Sequence, residues 1–385
     1  MRVVQLGCGI TGLVCARLVA RNPKVDEVVL ADVRTESTRE LCSPGNDGKF
    51  RAAKVDARDP ASVRKVLRGC EVLVSAIPRE MNLKVMLQAL DAGANYVDFS
   101  VAHEIIDDFR KYRRIVERAG ATAITGMGAD PGLSDVFARY GADKLDSAYE
   151  AHVRDGDNGV AKGVELFSLW SPLDMMEEVT INAAVFKNGK IEWLPPLHKK
   201  EIYPFPEPIG PLPVYNTTHE ETFMIPMFIK GIRNADFKIA VDDGFVHAAN
   251  TIRKLGMHSL KEIDVKGVKV RPLDVVVATM PTPTDMIGKV KGSAGIVVEV
   301  LGRKDGRRAL AKTWTTLSHE DAYRKYGTNA TGYLVGVGGS VGADLIVNGD
   351  VCEKTLFAPE LLPAEKVVGM LPDRGLKAHE SLEYT

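Results

Sequence analysis

The stretch VVQLGCGITGLVCARLV, residues 3–19, decides how the rest of the chain reads. A short apolar run, three glycines and an apolar-rich helical segment follow one another within it. Gly7, Gly9 and Gly12 stand at the spacing G-x-G-x-x-G, directly after the strand-like run and at the mouth of the helix. A dinucleotide requires that arrangement. The first glycine allows the tight turn, the second brings bare backbone to the pyrophosphate, and the third lets helix and strand pack closely. The helix N-terminus adds unpaired N–H groups and partial positive charge. Loops of this kind also hold S-adenosylmethionine or flavin adenine dinucleotide, and some exist for packing alone, so the flanking residues must decide.

Asp32 ends the second strand-like run, EVVLADV, where a carboxylate accepts from both ribose hydroxyls. Its charge repels a 2′-phosphate, which favours NAD over NADP. Arg34, two residues on with Val33 between, could swing over such a phosphate and keeps NADP open. Asp56, followed by Ala57, ends the third run on the adenine side, its alternative being an ordinary turn residue. Ser75, Ala76 and Ile77 end the fourth run, which in this fold lines the crevice toward the nicotinamide. No second flavin-contacting signature follows, and all three glycines keep dinucleotide rather than methyltransferase spacing.

Working outward, RVVQLG, EVVLADV, FRAAKVDA, EVLVSAI, NYVDFS and ATAITGMG alternate with helical segments up to about residue 128. The alternation predicts an α/β fold, a Rossmann doubly wound parallel sheet over residues 1–130. Asp59 and Pro60 form a helix start and Gly69 a stop. Asp130 and Pro131 repeat the start signal. Beyond residue 150 the texture changes to hairpins, with Asn188-Gly189 and Asp305-Gly306 each supplying the positive φ of a tight turn. A second α+β domain with a largely antiparallel sheet is expected over 131–320, for substrate binding and dimerisation. A C-terminal segment, 321–385, is expected to pack back on the first domain. The proline-dense run LPPLHKKEIYPFPEPIGPLP cannot pair as a central strand, because proline lacks the donor. It reads as a loop over the site or an arm reaching a partner subunit.

Among the 385 residues, 50 basic and 51 acidic side chains nearly cancel, without long blocks of one sign, so no nucleic-acid partner is expected. The five cysteines form no C-x-x-C and no paired framework, which points to reduced thiols in the cytoplasm and to no bound metal. The opening residues are already strand-like and no apolar run approaches membrane-spanning length, so neither a signal peptide nor a membrane partner is expected. Exposed edge strands in the second domain would be protected by a homodimer or a dimer-based oligomer.

A substrate held over a nicotinamide needs a group to handle the proton and anchors for its charge. Asp130 is the first candidate, catalytic or substrate-binding, with an N-cap bond to the N–H of Leu133 as the plain alternative. The N–H groups of Gly132, Leu133 and Ser134 could receive a substrate carboxylate. His103, after the fifth run, could shuttle a proton. Glu165, among apolar neighbours, would act as a base if drawn into a cleft. His219, Glu220 and Glu221 could contact an amino group. Arg154 and Arg233 are candidate carboxylate clamps, with salt-bridged surface arginine as the alternative. The pair Met175-Met176 reads as core.

These segments together resemble a known family. LGCGITG, VSAI, YVDFS and above all GMGADPG are similar to the saccharopine dehydrogenase-like oxidoreductases. The similarity continues through VKGVKVRPLDVVVA, VEVLGRKDG and FAPELLPAEKVVGMLPDRGL, and the order of segments looks most like the lysine 6-dehydrogenase branch. The resemblance implies an NAD(P)-dependent dehydrogenase acting on a C–N bond of an amino acid or amine. It implies cofactor contact at Gly7, Gly9, Ile10, Thr11, Gly12, Asp32, Asp56 and Ala76, and substrate-side placement of Asp130, Pro131 and Gly132. The alternatives are a saccharopine- or carboxynorspermidine-type reductase using NADPH, and a dinucleotide-binding regulator without chemistry. The chain departs from the lysine branch in DFKIAVDDGFVHAAN, where Val241, Asp242, Asp243 and Phe245 replace basic or histidine positions and so remove anchors for an amino-acid carboxylate.

Overall fold

The computed structural model describes residues 1–43 and 48–385. It divides into two compact units, Met1–Tyr140 with Gly332–Lys377, and Gly141–Thr331 with Ala378–Thr385. The first division therefore falls at 140/141 rather than 130/131, because the helix Leu133–Asp143 runs mostly with the first unit. The second falls at 331/332 rather than 320/321. The last eight residues belong to the second unit, not to the first as expected. Strand His379–Tyr384 instead pairs antiparallel with Arg307–Ser318 in the second.

In the first unit, Arg2–Leu6, Glu27–Asp32, Phe50–Lys54, Val72–Ser75, Asn95–Asp98, Ala123–Ile124 and Leu356–Phe357 form one all-parallel sheet. The first six, taken in chain order, stand 3-2-1-4-5-6, so the order reverses beside the first strand. In doubly wound sheets that reversal opens a crevice at the strand C-termini. Central strands read as continuous apolar runs because both faces are covered; Val72–Ser75 is buried throughout. The edge strand Phe50–Lys54 is largely exposed and carries the charged Arg51 and Lys54.

The apolar helix Ala330–Asn348 is long and apolar enough to cross a membrane, contrary to the sequence reading. Its hydrophobicity serves packing instead, with 89% of the apolar window buried. Its glycines permit close approach: a Cβ at Gly336 would meet Val14 at 2.5 Å and the Thr11 carbonyl at 2.8 Å.

The second unit is built on a nine-stranded sheet. Ser147–Asp157 lies between Asn234–Ala240, in parallel, and Ser293–Lys304, antiparallel. Asn188-Gly189 and Asp305-Gly306 turn hairpins as expected, with φ of 51° and 82°, and of 51° and 73°. The proline-dense run is not an open loop. It forms the hairpin His198–Pro204 with Pro211–Asn216, and Val214–Asn216 then pairs with Asn234–Ala240. Pro211 and Pro213 fall outside that second pairing and face only the edge strand, where a missing donor costs nothing on the sheet side. Phe205 and Ile209 of the hairpin pack on Gly156 and Gly295, where a Cβ would meet them at 2.5 and 2.9 Å.

Candidate functional site

In the first unit the glycine loop is held by its neighbours. Gly7 N–H donates to the Ala31 carbonyl at 2.9 Å, and Ala76 N–H to that of Leu6 at 2.7 Å. The three glycines have different reasons to be glycine. Gly7 has φ +87°, and a Cβ there would sit 2.3 Å from the Ala76 oxygen. A Cβ at Gly12 would sit 2.0 Å from the Gly7 oxygen. Gly9 is exposed, has an ordinary φ of −74°, and a Cβ on it would meet nothing within 4 Å. No contact among the described residues demands a bare backbone at Gly9, and the open backbone suits the approach of a ligand. The helix it opens, Ile10–Val19, has neither a side-chain cap nor an acidic residue in its first turn, which leaves its N-terminal field for an anion. These residues fit a dinucleotide diphosphate.

Asp32 adjoins the loop. Its Oδ2 accepts from Cys8 N–H at 2.7 Å and its Oδ1 from Arg34 N–H at 2.9 Å, so the carboxylate ties the loop to the end of the second strand. Val33 and Arg34 are exposed beside it. Asp56 is half-buried, and Arg58 binds it through Nε at 3.0 Å and Nη2 at 2.8 Å. The hydrogen bonds from the Arg58 side chain and then its backbone hold the Asp56 carboxyl down at about 2. Ala57, Ala76 and Ile77 are half-buried, and Ser75 is buried, donating to Asn82 at 3.0 Å.

The turn around Asp130 differs from the sequence reading. The Leu133 N–H that an Asp130 cap would take donates to the Gly128 carbonyl at 3.1 Å. Ser134 N–H donates to Ala129 at 2.9 Å and Gly132 N–H to the Asp135 carboxylate at 2.8 Å. All three amides proposed to receive a substrate carboxylate are therefore committed within the turn. Asp130 is half-buried, while Pro131 and Gly132 are buried. His103 is exposed at the first position of the five-residue helix His103–Asp107.

The second unit carries a cavity of about 680 Å³, with Gly159, Phe167, Glu165, Asp242 and His247 in its wall. Glu165 is exposed and stands in the cavity wall beside Val164 and Phe167. Asp242 caps the helix Asp243–Lys254 through Phe245 N–H at 2.9 Å, so the departure from the lysine branch falls on the cavity wall.

His219 is buried, its ring stacked on Phe237 at 3.9 Å and 11°. Nδ1 bonds the Glu221 carboxylate and lies 3.5 Å from Glu220, and Nε2 is 4.0 Å from Glu178. Burial opposes its charge, but Glu221, then Glu220, and Glu178 overcome that and hold the imidazole well above its ordinary value. Asp155 is pushed up to about 7, first by burial and then by the charge of Asp157, with His219 opposing. Sequence reasoning missed Glu178, Asp155, Asp157 and His319. The last is buried, with Nε2 3.0 Å from Asp157 and Nδ1 accepting from Ala330 N–H. The available signal was the acidic D-G-D at the end of an otherwise alternating strand. Arg154 is salt-bridged but buried, 2.8 Å from Asp236 and 3.3 Å from Glu201, so its fork is not presented to a ligand; Arg233 is exposed.

Comparisons with known proteins bear on both units. Residues 3–124 match the saccharopine dehydrogenase NADP binding domain, and residues 128–376 match the saccharopine dehydrogenase C-terminal domain. Among curated proteins, a carboxynorspermidine synthase of Vibrio alginolyticus is 27% identical, covering 98% of this chain and 96% of its own. A carboxyaminopropylagmatine dehydrogenase of Synechocystis is 24% identical, covering 98% and 97%. Among solved structures, saccharopine dehydrogenase (L-Glu forming) of Saccharomyces cerevisiae superposes with a TM-score of 0.73 over 99% of both chains, at 16% identity.

Proposed function

The chain belongs to the saccharopine dehydrogenase family and is an NAD(P)-dependent oxidoreductase, and from that premise we propose that it joins a cationic amine to an amino-acid semialdehyde by reducing their imine. The product would be a carboxylated polyamine. The observation that carries this reading is the charge of the cavity in the second unit: its wall holds Glu165, Asp242 and His247, and no lysine or arginine among its lining residues. Carboxylates there suit an ammonium and repel a carboxylate, which weighs against lysine held by its carboxyl end. The names of the two curated relatives, both denoting carboxylated polyamine chemistry, support the same choice.

Disconnecting such a product at its secondary C–N bond gives a primary amine and a four-carbon amino-acid semialdehyde. Amine and aldehyde lose water to give the imine, and hydride plus a proton convert it to the secondary amine. The bound nicotinamide supplies the hydride; the chain must bind the cationic end, orient the imine carbon and manage the proton. Purified protein should consume NADPH when diaminopropane, putrescine or agmatine is supplied together with aspartate semialdehyde, and should do so only when both are present, with the coupled product seen by mass spectrometry. Reduction of NAD by lysine alone would overturn the proposal in favour of a lysine 6-dehydrogenase. Tight cofactor binding without turnover of any pair would favour the regulator.

NADPH is the reductant in this reading. The matched domain is named for NADP, and Arg34 stands exposed two residues beyond Asp32, where its fork would reach a 2′-phosphate on a ribose held by Asp32. Arg34→Ala should weaken NADPH binding about tenfold, about 1.4 kcal/mol, and leave NADH within about twofold. Fluorescence titration of the bound reduced nicotinamide measures both. A protein that prefers NADH and is indifferent to Arg34→Ala would restore the choice of NAD that Asp32 alone suggests.

A further inference from the structure

We propose that His219 is the catalytic acid of this reaction, giving its proton from Nε2 to the hydroxyl that leaves as water, with Glu221 positioning the ring. The inference rests on the imine-reduction reading and names the proton carrier that reading leaves open.

The geometry is that of an acid held for one direction of transfer. Phe237 fixes the plane of the imidazole, and Glu221, itself 1% exposed, takes Nδ1. That fixes which nitrogen remains. Nε2 lies 4.0 Å from Glu178, beyond hydrogen-bond reach, so its proton is not committed to that carboxylate. The side chain is buried, with 9% of its surface exposed. The groups facing it come from four elements. Glu220 and Glu221 stand at the start of the helix Glu221–Phe228, Glu178 lies on the helix Pro172–Thr180, Asp155 on the strand Ser147–Asp157, and Phe237 on the strand Asn234–Ala240. The charged groups named here are all carboxylates. Together they outweigh burial and favour the protonated imidazole. Asp155, poised near neutrality, is the adjoining group able to share a proton with the cluster.

The step balances. An amine nitrogen adds to the aldehyde carbon to give a carbinolamine. His219 donates its proton to the carbinolamine hydroxyl, the C–O bond breaks, water departs and the nitrogen lone pair forms the C=N bond of an iminium. Hydride adds at that carbon and the C=N π pair returns to nitrogen, leaving a secondary amine. The neutral imidazole recovers its proton from the next ammonium substrate, which must lose one before it can attack an aldehyde.

The test is steady-state kinetics of wild type, His219→Gln and Glu221→Gln on the productive amine and semialdehyde pair across pH, with thermal melts and NADPH titration as controls. His219→Gln should lower kcat about 100-fold or more while NADPH affinity stays within about twofold. Because the acid must be protonated, the reductive kcat falls as pH rises through the His219 pKa. Glu221→Gln removes the largest opposing charge and should move that alkaline limb to lower pH by about one unit. A purely structural role for Glu221 would not move the limb. His219→Gln retaining more than about a third of kcat, or Glu221→Gln leaving the limb in place, would sink this inference alone. A wild type inert toward every amine and semialdehyde pair sinks the functional reading, and this inference with it.

Discussion

Gly9→Ala should leave the protein folded and weaken NADPH binding about 100-fold, about 2.7 kcal/mol, whereas Gly12→Ala should lose the fold of the first unit before binding can be asked about. The two glycines are three residues apart in one motif, and the structure separates their duties. Gly9 sits at φ −74° and ψ −168°, a conformation any residue adopts, with open space where a Cβ would go. Alanine is a poorer N-cap than glycine but loses less chain entropy on folding, and these terms, each below about 1 kcal/mol, offset. What the methyl group removes is the approach of the diphosphate to the Gly9 backbone and to the N–H groups of the helix beyond. At Gly12 a methyl would stand 2.0 Å from the Gly7 carbonyl oxygen, which is backbone and cannot swing aside. That overlap costs about 3 kcal/mol or more, against roughly 1 kcal/mol returned by alanine as the better helix former. Thermal melts paired with NADPH titration read both effects. A Gly9→Ala protein that binds as wild type would remove the diphosphate from this loop.

The first unit was legible because its signals are local. Each parallel strand is a short apolar run, the glycine loop lies within six residues, and Asp32 stands at the end of the next strand, so neighbours in sequence are neighbours in space. The Asn-Gly and Asp-Gly hairpins were legible for the same reason. Reasoning failed where a local rule had a non-local exemption. The prolines of Pro211–Asn216 bar a central strand only if both edges of that stretch are paired, and the far half of the strand has a single partner. Asp130-Pro131 carries a helix-start signal, yet the Gly128 and Ala129 carbonyls receive the amides that an N-cap side chain would have taken. His379–Tyr384 is too polar to announce a strand, because it is an edge and buries little. The carboxylates around His219 come from positions 155, 178, 220 and 221, and only the last two could be associated with it by reading along the chain. The same non-local assembly explains why Arg154 looked like a surface residue.

Asp236→Ala should lower the stability of the second unit by about 3–5 kcal/mol, the cost of leaving a buried charge without its partner. Asp236 lies directly across from His152 in the parallel pairing of Asn234–Ala240 with Ser147–Asp157. Its Oδ1 takes Arg154 at 2.8 Å and His152 at 2.6 Å, and Asn216 donates to Oδ2 at 3.3 Å. With Asp236 gone, Arg154, only 6% exposed, would lose its shorter ion pair and keep the longer one to Glu201, itself also bound by Lys238. At about 2–4 °C per kcal/mol for a unit of this size, the melting temperature should fall on the order of 10 °C. The pH dependence identifies the cause. Burial would raise the Asp236 carboxyl, but Arg154 and then His152 hold it far below the usual carboxylate range, so its contribution is present above the unfolded value near 4 and is lost as pH falls below it. For His152 burial acts downward and Asp236 outweighs it, so its contribution is complete below the unfolded value near 6.5 and is lost as pH rises through the folded one. The two windows overlap between about pH 4 and 6.5, and the gap between wild type and Asp236→Ala in urea midpoints should be widest there. Arg154→Met with Asp236→Leu, which removes both charges, should recover much of the loss, because the penalty belongs to the orphaned guanidinium rather than to the missing attraction. If the double variant is as unstable as the single one, the cost lies in packing against Tyr203, whose ring centroid is 5.8 Å from the guanidinium carbon, and the charge argument fails.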